Sequence, residues 1–162
     1  MLRIAVLGRL ALEQDERPLS PPVGRPARLL LGWLAIHPGA HARSTVAAEL
    51  WPDVLDESAR GSLRVALVDL RRALGDAAER ALLTTRDQIG LIDSPELDVD
   101  ARRFTALLEA GRTVEALGLW RGELLEGLDA GDWLVELRDD YRNRRSRALA
   151  ALAEEAAASG QM

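Results

Sequence analysis

Ser58-Ala59-Arg60-Gly61-Ser62-Leu63-Arg64-Val65-Ala66-Leu67-Val68-Asp69-Leu70-Arg71-Arg72-Ala73-Leu74-Gly75 is the stretch on which the fold turns. Leu63, Leu67, Leu70 and Leu74 recur at steps of four, three and four, the spacing of one α-helical face. Ala59, Ala66 and Ala73 sit beside them. Asp56 and Ser58 are N-cap candidates, and Gly75 suits the position just past a helix end. At about 100° per residue, the opposite face carries Gly61, Arg64, Val65, Val68 and Arg72, flanked by Arg60 and Arg71. A leucine seam behind and arginines in front describe a helix that packs on a small domain and enters a DNA groove. The competing reading is an ordinary amphipathic helix with a solvated basic face.

Charge distribution favours the first reading locally. The 162-residue chain has net charge −5, yet residues 1–94 hold 12 Arg against 12 acids, and residues 95–162 hold 9 Arg against 14 acids. Ser58–Gly75 has four Arg against Asp69 alone. Local field matters more than net charge for a groove binder. All 21 basic residues are Arg; a GC-rich genome produces the same bias. There is no Cys, which excludes disulfides and cysteine metal sites. No apolar run reaches membrane-spanning length and no signal-peptide layout opens the chain, so a cytoplasmic location is expected.

Outward from the helix, the chain predicts this order. Leu2 to Leu12 alternates in the manner of two short strands around Gly8, and Leu19 suits a third. A helix is expected from Pro26 to Ile36, with Leu29, Leu30, Trp33 and Leu34 buried. A second runs from Ser44, as N-cap, to Trp51. After the Ser58–Gly75 helix, Leu82–Arg86 and Ile89–Ile92 form a hairpin turning at Asp87-Gln88. Three helices and a hairpin after leading strands specify a winged helix-turn-helix. Asp93–Glu96 is a linker, which divides the chain into domains at 1–94 and 95–162. The second half is helical: about Val99–Ala110, Thr113–Arg121, and a long helix from Asp132 to about Ala158. The first two resemble one tetratricopeptide-type unit. Arg142, Arg144, Arg145 and Arg147 read as an exposed face with intrahelical ion pairs.

Leu50-Trp51-Pro52-Asp53, Ser58-Ala59-Arg60, Leu70–Gly75 and Leu82–Arg86 together resemble the streptomycete antibiotic regulatory family of transcriptional regulators. Their DNA-binding half is similar to the OmpR/PhoB-type winged helix, a phosphorelay-type output domain. Asp98-Val99-Asp100, Glu115-Ala116-Leu117, Leu119–Leu125 and Trp133-Leu134 with Arg138 resemble the start of a bacterial transcriptional activator domain. The resemblance implies a mainly α protein with small β-sheets: an N-terminal antiparallel sheet, three helices, a wing, then a tetratricopeptide-like domain. It implies promoter DNA, with direct repeats, and RNA polymerase as partners. It also places Arg86, after Thr84-Thr85, as the wing arginine. Two departures stand out. Asp87-Gln88-Ile89-Gly90 replaces the usual Gly-rich wing turn and puts an acid at the tip. The activator domain ordinarily continues through more helices, whereas this chain stops at Gly160-Gln161-Met162, as a shortened fragment or as a short member that completes its stack with another copy.

Site assignments follow. Arg64, outward and in the N-terminal half of its helix, is the base-reading candidate; Val65 and Val68 are placed against thymine methyls, and Gly61 allows close backbone approach. Arg60, Arg71, Arg72 and Arg86 are phosphate contacts, with Ser62 a hydroxyl donor. Trp133, Tyr141, Leu149 and Leu152 on the long helix mark a homodimer contact. His37 and His41 are separated by Pro38-Gly39 and lack a third partner, so no metal is expected. No phosphate-cradling glycine loop or nucleophile triad is present, so neither a cofactor nor enzymatic activity is expected. Two functions remain: a sequence-specific DNA-binding activator, or a helical interaction module whose winged helix no longer binds DNA.

Overall fold

The structure is a computed structural model that describes residues 1–160; Gln161 and Met162, the end of the second expected domain, lie outside the described residues. Strands β1 (Leu2–Ala5), β2 (Ala11–Gln14) and β3 (Arg17–Leu19) form an antiparallel meander, with Leu2 opposite Gln14 and Leu12 opposite Leu19. Leu2, Ile4 and Leu12 point inward while Arg3 and Glu13 point out, the alternation read from the sequence.

Helix α1 (Arg25–Ile36) opens with Pro26 in its first turn. Its burial exceeds the expected stripe: Leu31, Gly32 and Ala35 are enclosed along with Leu29, Leu30, Trp33 and Leu34. A helix buried nearly all round needs cover on two sides. One side packs on α3 (Asp56–Leu74). The other is covered by α5 (Asp100–Glu109) and by the 122–131 segment of the second half. A Cβ on Gly32 would stand 2.6 Å from a methyl of Leu125, so glycine is what lets that segment seat.

Strand β4 (Gly39–Ala42) lies between the two expected helices, where the sequence predicts no element. It joins β5 (Leu82–Thr84) and β6 (Gln88–Leu91) in a three-stranded sheet of order β4-β6-β5. A Cβ on Gly90 would lie 2.3 Å from the Gly39 carbonyl oxygen, so this close strand approach requires glycine. Helix α2 (Arg43–Leu50) follows β4 directly, with Ala42, not Ser44, in the capping position. Likewise Leu55 precedes α3, and Asp56 and Glu57 occupy its first turn, where acids favour the helix dipole. A 3-10 turn (Gly75–Ala77) and the short α4 (Ala78–Ala81) lead into the wing.

The expected linker does not separate two bodies. Strand β7 (Leu97–Val99) pairs in parallel with β1, Leu2 opposite Leu97, completing a sheet of order β3-β2-β1-β7. Helix α6 (Thr113–Leu117) ends four residues before the expected Arg121. The chain from Arg121 instead bonds back to the first sheet: Arg121 N–H to the Leu7 carbonyl at 3.1 Å and Leu125 N–H to Val6 at 2.8 Å. Leu125 adopts φ 49°, a costly value for a branched residue. Arg138, on the long α7 (Asp132–Gly160), holds that segment by donating to the carbonyls of Leu124, Leu125 and Leu128 at 2.7–2.8 Å.

Candidate nucleic-acid interface

Helix α3 separates its two faces as the leucine spacing requires. Leu63, Leu67, Leu70 and Leu74 are buried against α1 and α2, while Arg60, Arg64, Val65, Val68, Arg71 and Arg72 are exposed. Val65 and Val68 are 59% and 52% exposed, so neither belongs to the core. Their methyl groups are open to contact by an apolar group of a partner.

The helix does not bring all nine predicted residues together. Arg60 and Arg64 line a groove of about 640 Å³ with Arg86 of the wing turn. A fourth guanidinium, that of Arg43 at the start of α2, lines the same groove. Arg43 escaped the sequence reading because Ser44 was given the capping role. Its signal was an arginine in the first turn of a helix two residues past His41. The backbone N–H of Arg43 donates to the Asp87 carbonyl at 2.9 Å, which ties α2 to the wing tip, while its Nε is buried without a partner. Asp56 and Asp87 also line the groove, so its charge is mixed at the rim.

Arg71 lies further along α3, where its guanidinium donates to the Thr84 hydroxyl at 2.7 Å. That bond links the helix to β5 and orients the wing. Arg72 reaches only a loose 3.6 Å pairing with Asp69 and is 77% exposed. Gly61 is half-buried beside Arg64. Ser62 is half-buried and lies about 160° around the helix from Arg64, away from the basic face.

Behind this surface, the end of α1 is closed by two imidazoles. His37 Nδ1 contacts the Trp33 carbonyl at 2.8 Å and His41 Nε2 the His37 carbonyl at 2.9 Å. His37 stacks on Trp33 with ring centroids 4.0 Å apart, and burial pushes its pKa below the ordinary value. These nitrogens are spent on the fold, and among the described residues no group of three or more His, Cys or acids gathers to hold a metal. No described helix is long and apolar enough to cross a membrane.

On α7, two residues assigned to a homodimer contact are interior. Trp133 and Tyr141 are 9% and 5% exposed, and Tyr141 packs 6.0 Å from Phe104. Tyr141 faces inward because Phe104 of α5 covers it, and Trp133 joins the core that Leu124 and Leu125 also enter. Leu149 remains 44% exposed and Leu152 half-buried. Two of the four arginines make the expected intrahelical pairs, Arg142 with Asp139 and Arg144 with Asp140, while Arg142 also reaches Glu123 outside the helix and Arg147 donates to the Asn143 carbonyl. Arg144 and Arg145 also lie over Tyr141 and Trp120.

Residues 96–162 match the family described as the bacterial transcriptional activator domain. The matched stretch thus includes β7, the strand that completes the N-terminal sheet. The chain is similar in fold to part of Mycobacterium tuberculosis EmbR, solved in complex with a low-affinity phosphopeptide. The TM-score is 0.79 at 24% identity, over 98% of this chain and 46% of EmbR. The chain therefore spans about half the length of that protein. No curated protein matches the sequence. The expected fold, a winged helix with small β-sheets followed by a helical half, is the one observed.

Proposed function

We propose that the chain is a sequence-specific DNA-binding transcriptional regulator, an activator, that reads the major groove with α3. The observation that carries this is the solvated front of α3, where Arg64 and two exposed valines stand beside a groove lined by Arg43, Arg60, Arg64 and Arg86. Base edges are read by such a bidentate cation with thymine-methyl contacts beside it, and the outer arginines neutralise phosphates. Residues 1–94 supply this surface and residues 95–162 the activator domain, which is expected to contact RNA polymerase. An acidic second half is repelled by DNA and is suited to a protein partner. Self-association on promoter direct repeats would raise affinity by linking two binding events, with Leu149 and Leu152 as its remaining candidates on α7.

The test is fluorescence anisotropy with the natural upstream region and a scrambled duplex of equal length, across a range of salt. Tighter binding to the natural duplex, falling steeply with salt, supports the reading. Equal, weak binding to both identifies instead an interaction module with an inactive wing. Sedimentation of the free protein at tens of micromolar tests self-association; a monomer without cooperativity on a two-site duplex removes it.

A further inference from the structure

The outer face of the N-terminal sheet is hollow. Ala5 and Ala11 are cross-strand partners there, and their methyl groups floor a groove of about 370 Å³. Pro18 of β3 closes one side, and Leu119, in the turn after α6, closes the other. That size falls in the range of sites for small molecules, roughly 300–1,000 Å³, which are mostly apolar with a few placed polar groups.

The polar groups are arginines whose donors are not spent on carboxylates. Arg3 stands 3.8 Å from Glu13 and 3.7 Å from Asp98, distances of charge contacts and longer than hydrogen bonds. Asp98 is held more tightly by Arg103, at 2.7 Å. Arg121 stands 3.9 Å from Asp100 and donates to the Arg9 carbonyl at 3.2 Å. Asp100 in turn is occupied by the backbone N–H groups of Val6 and Leu7. Each of the two guanidinium groups is about half exposed, with side-chain exposures of 51% and 47%.

We propose that this groove binds a small amphipathic organic anion, its apolar body on the Ala5–Ala11 floor and its acidic group taken by Arg3 and Arg121. A planar guanidinium favours a carboxylate or sulfonate through paired N–H donors. Asp98 is neutralised by Arg103. Glu13, at the solvent rim, opposes the ligand's charge, so selection falls on monoanions. The site lies on the sheet face remote from α3 and does not depend on DNA binding.

Anilinonaphthalene sulfonate, an aromatic body with one sulfonate, is the probe. Titrated into the whole chain, it should bind saturably and one-to-one with a rise in fluorescence. Ala11→Trp fills the floor from an exposed strand position and should abolish binding with an unchanged melting curve. Arg3→Ala and Arg121→Ala should each weaken it about tenfold, as expected for loss of a charge-assisted hydrogen bond. Val135→Ser, at an exposed position of α7, should leave it unchanged. Absence of saturable binding, or binding that survives Ala11→Trp, overturns the proposal. Should Ala11→Trp shift the melting curve, the double variant of Arg3→Ala with Arg121→Ala decides, and undiminished affinity there overturns it equally.

Discussion

The carboxylate of Asp100 accepts the backbone N–H of Val6 at 2.8 Å across 94 residues of sequence. Its other oxygen accepts the Leu7 N–H at 3.0 Å. The end of β1 thus has its hydrogen bonds completed by the first residue of α5. The winged helix and the helical second half share an interior through this contact, through β7, and through Arg102, which donates to the Leu34 and Ala35 carbonyls at the end of α1.

Removing that acceptor leaves two buried amides unpaired. Asp100→Ala should cost about 2–6 kcal/mol, from roughly 1–3 kcal/mol for each unsatisfied group. Urea unfolding checks it. If the halves share one interior, the loss appears as one displaced transition for the whole chain, and two separate transitions would show that they unfold independently.

The same carboxylate makes a pH prediction. Burial is the largest influence on Asp100 and raises its pKa above the ordinary 3.8, against the lowering by its amide bonds and Arg121. A raised acid binds protons more readily folded than unfolded, so its contribution to stability falls as pH rises through the window above 3.8. Asp100→Asn lacks that proton. The stability of the wild type relative to Asp100→Asn should therefore improve as pH drops through the mildly acidic range, read from melting curves of both. A constant difference would show that the carboxyl does not titrate there.

Sequence reading recovered the elements that depend on local periodicity. The leucine steps of α3, Pro26 opening α1 and the Leu82–Leu91 hairpin all encode their own geometry. It missed what is set by contacts far apart in sequence. Gly39–Ala42 has no strand-forming side chains and is a strand because Gly90 lets β6 approach. Leu97–Val99 is too short to stand apart from a linker until β1 is beside it. Tyr141 looks like part of an exposed stripe until Phe104 of α5 covers it. At the candidate interface, helical spacing found Arg60 and Arg64, but Arg43 joins them only through the fold.

The wing should depend on Gly90. Gly90→Val puts a side chain against the Gly39 carbonyl and should cost at least about 1–3 kcal/mol, the range for overpacking. Hydrogen exchange should show protection lost at the His41 and Arg43 amides, which face β6, before it is lost in α1. Retained protection in β4 would show that the strands can part at little cost.

Arg86 should neutralise one phosphate. Arg86→Ala should weaken binding to all sequences alike and reduce the salt slope by about one. A slope equal to that of the wild type would show that the acidic Asp87 tip keeps the wing off DNA.

Base reading by Arg64 from the major groove is the central claim, and dimethyl sulfate footprinting addresses it most directly. The reagent methylates guanine N7 in the major groove and adenine N3 in the minor groove. The wild type should protect guanines within its site. Arg64→Ala should lose protection at one guanine and about 1–3 kcal/mol of affinity, with preference relaxed at that base pair alone. Full protection retained by Arg64→Ala, or protection confined to adenine N3, would contradict the account.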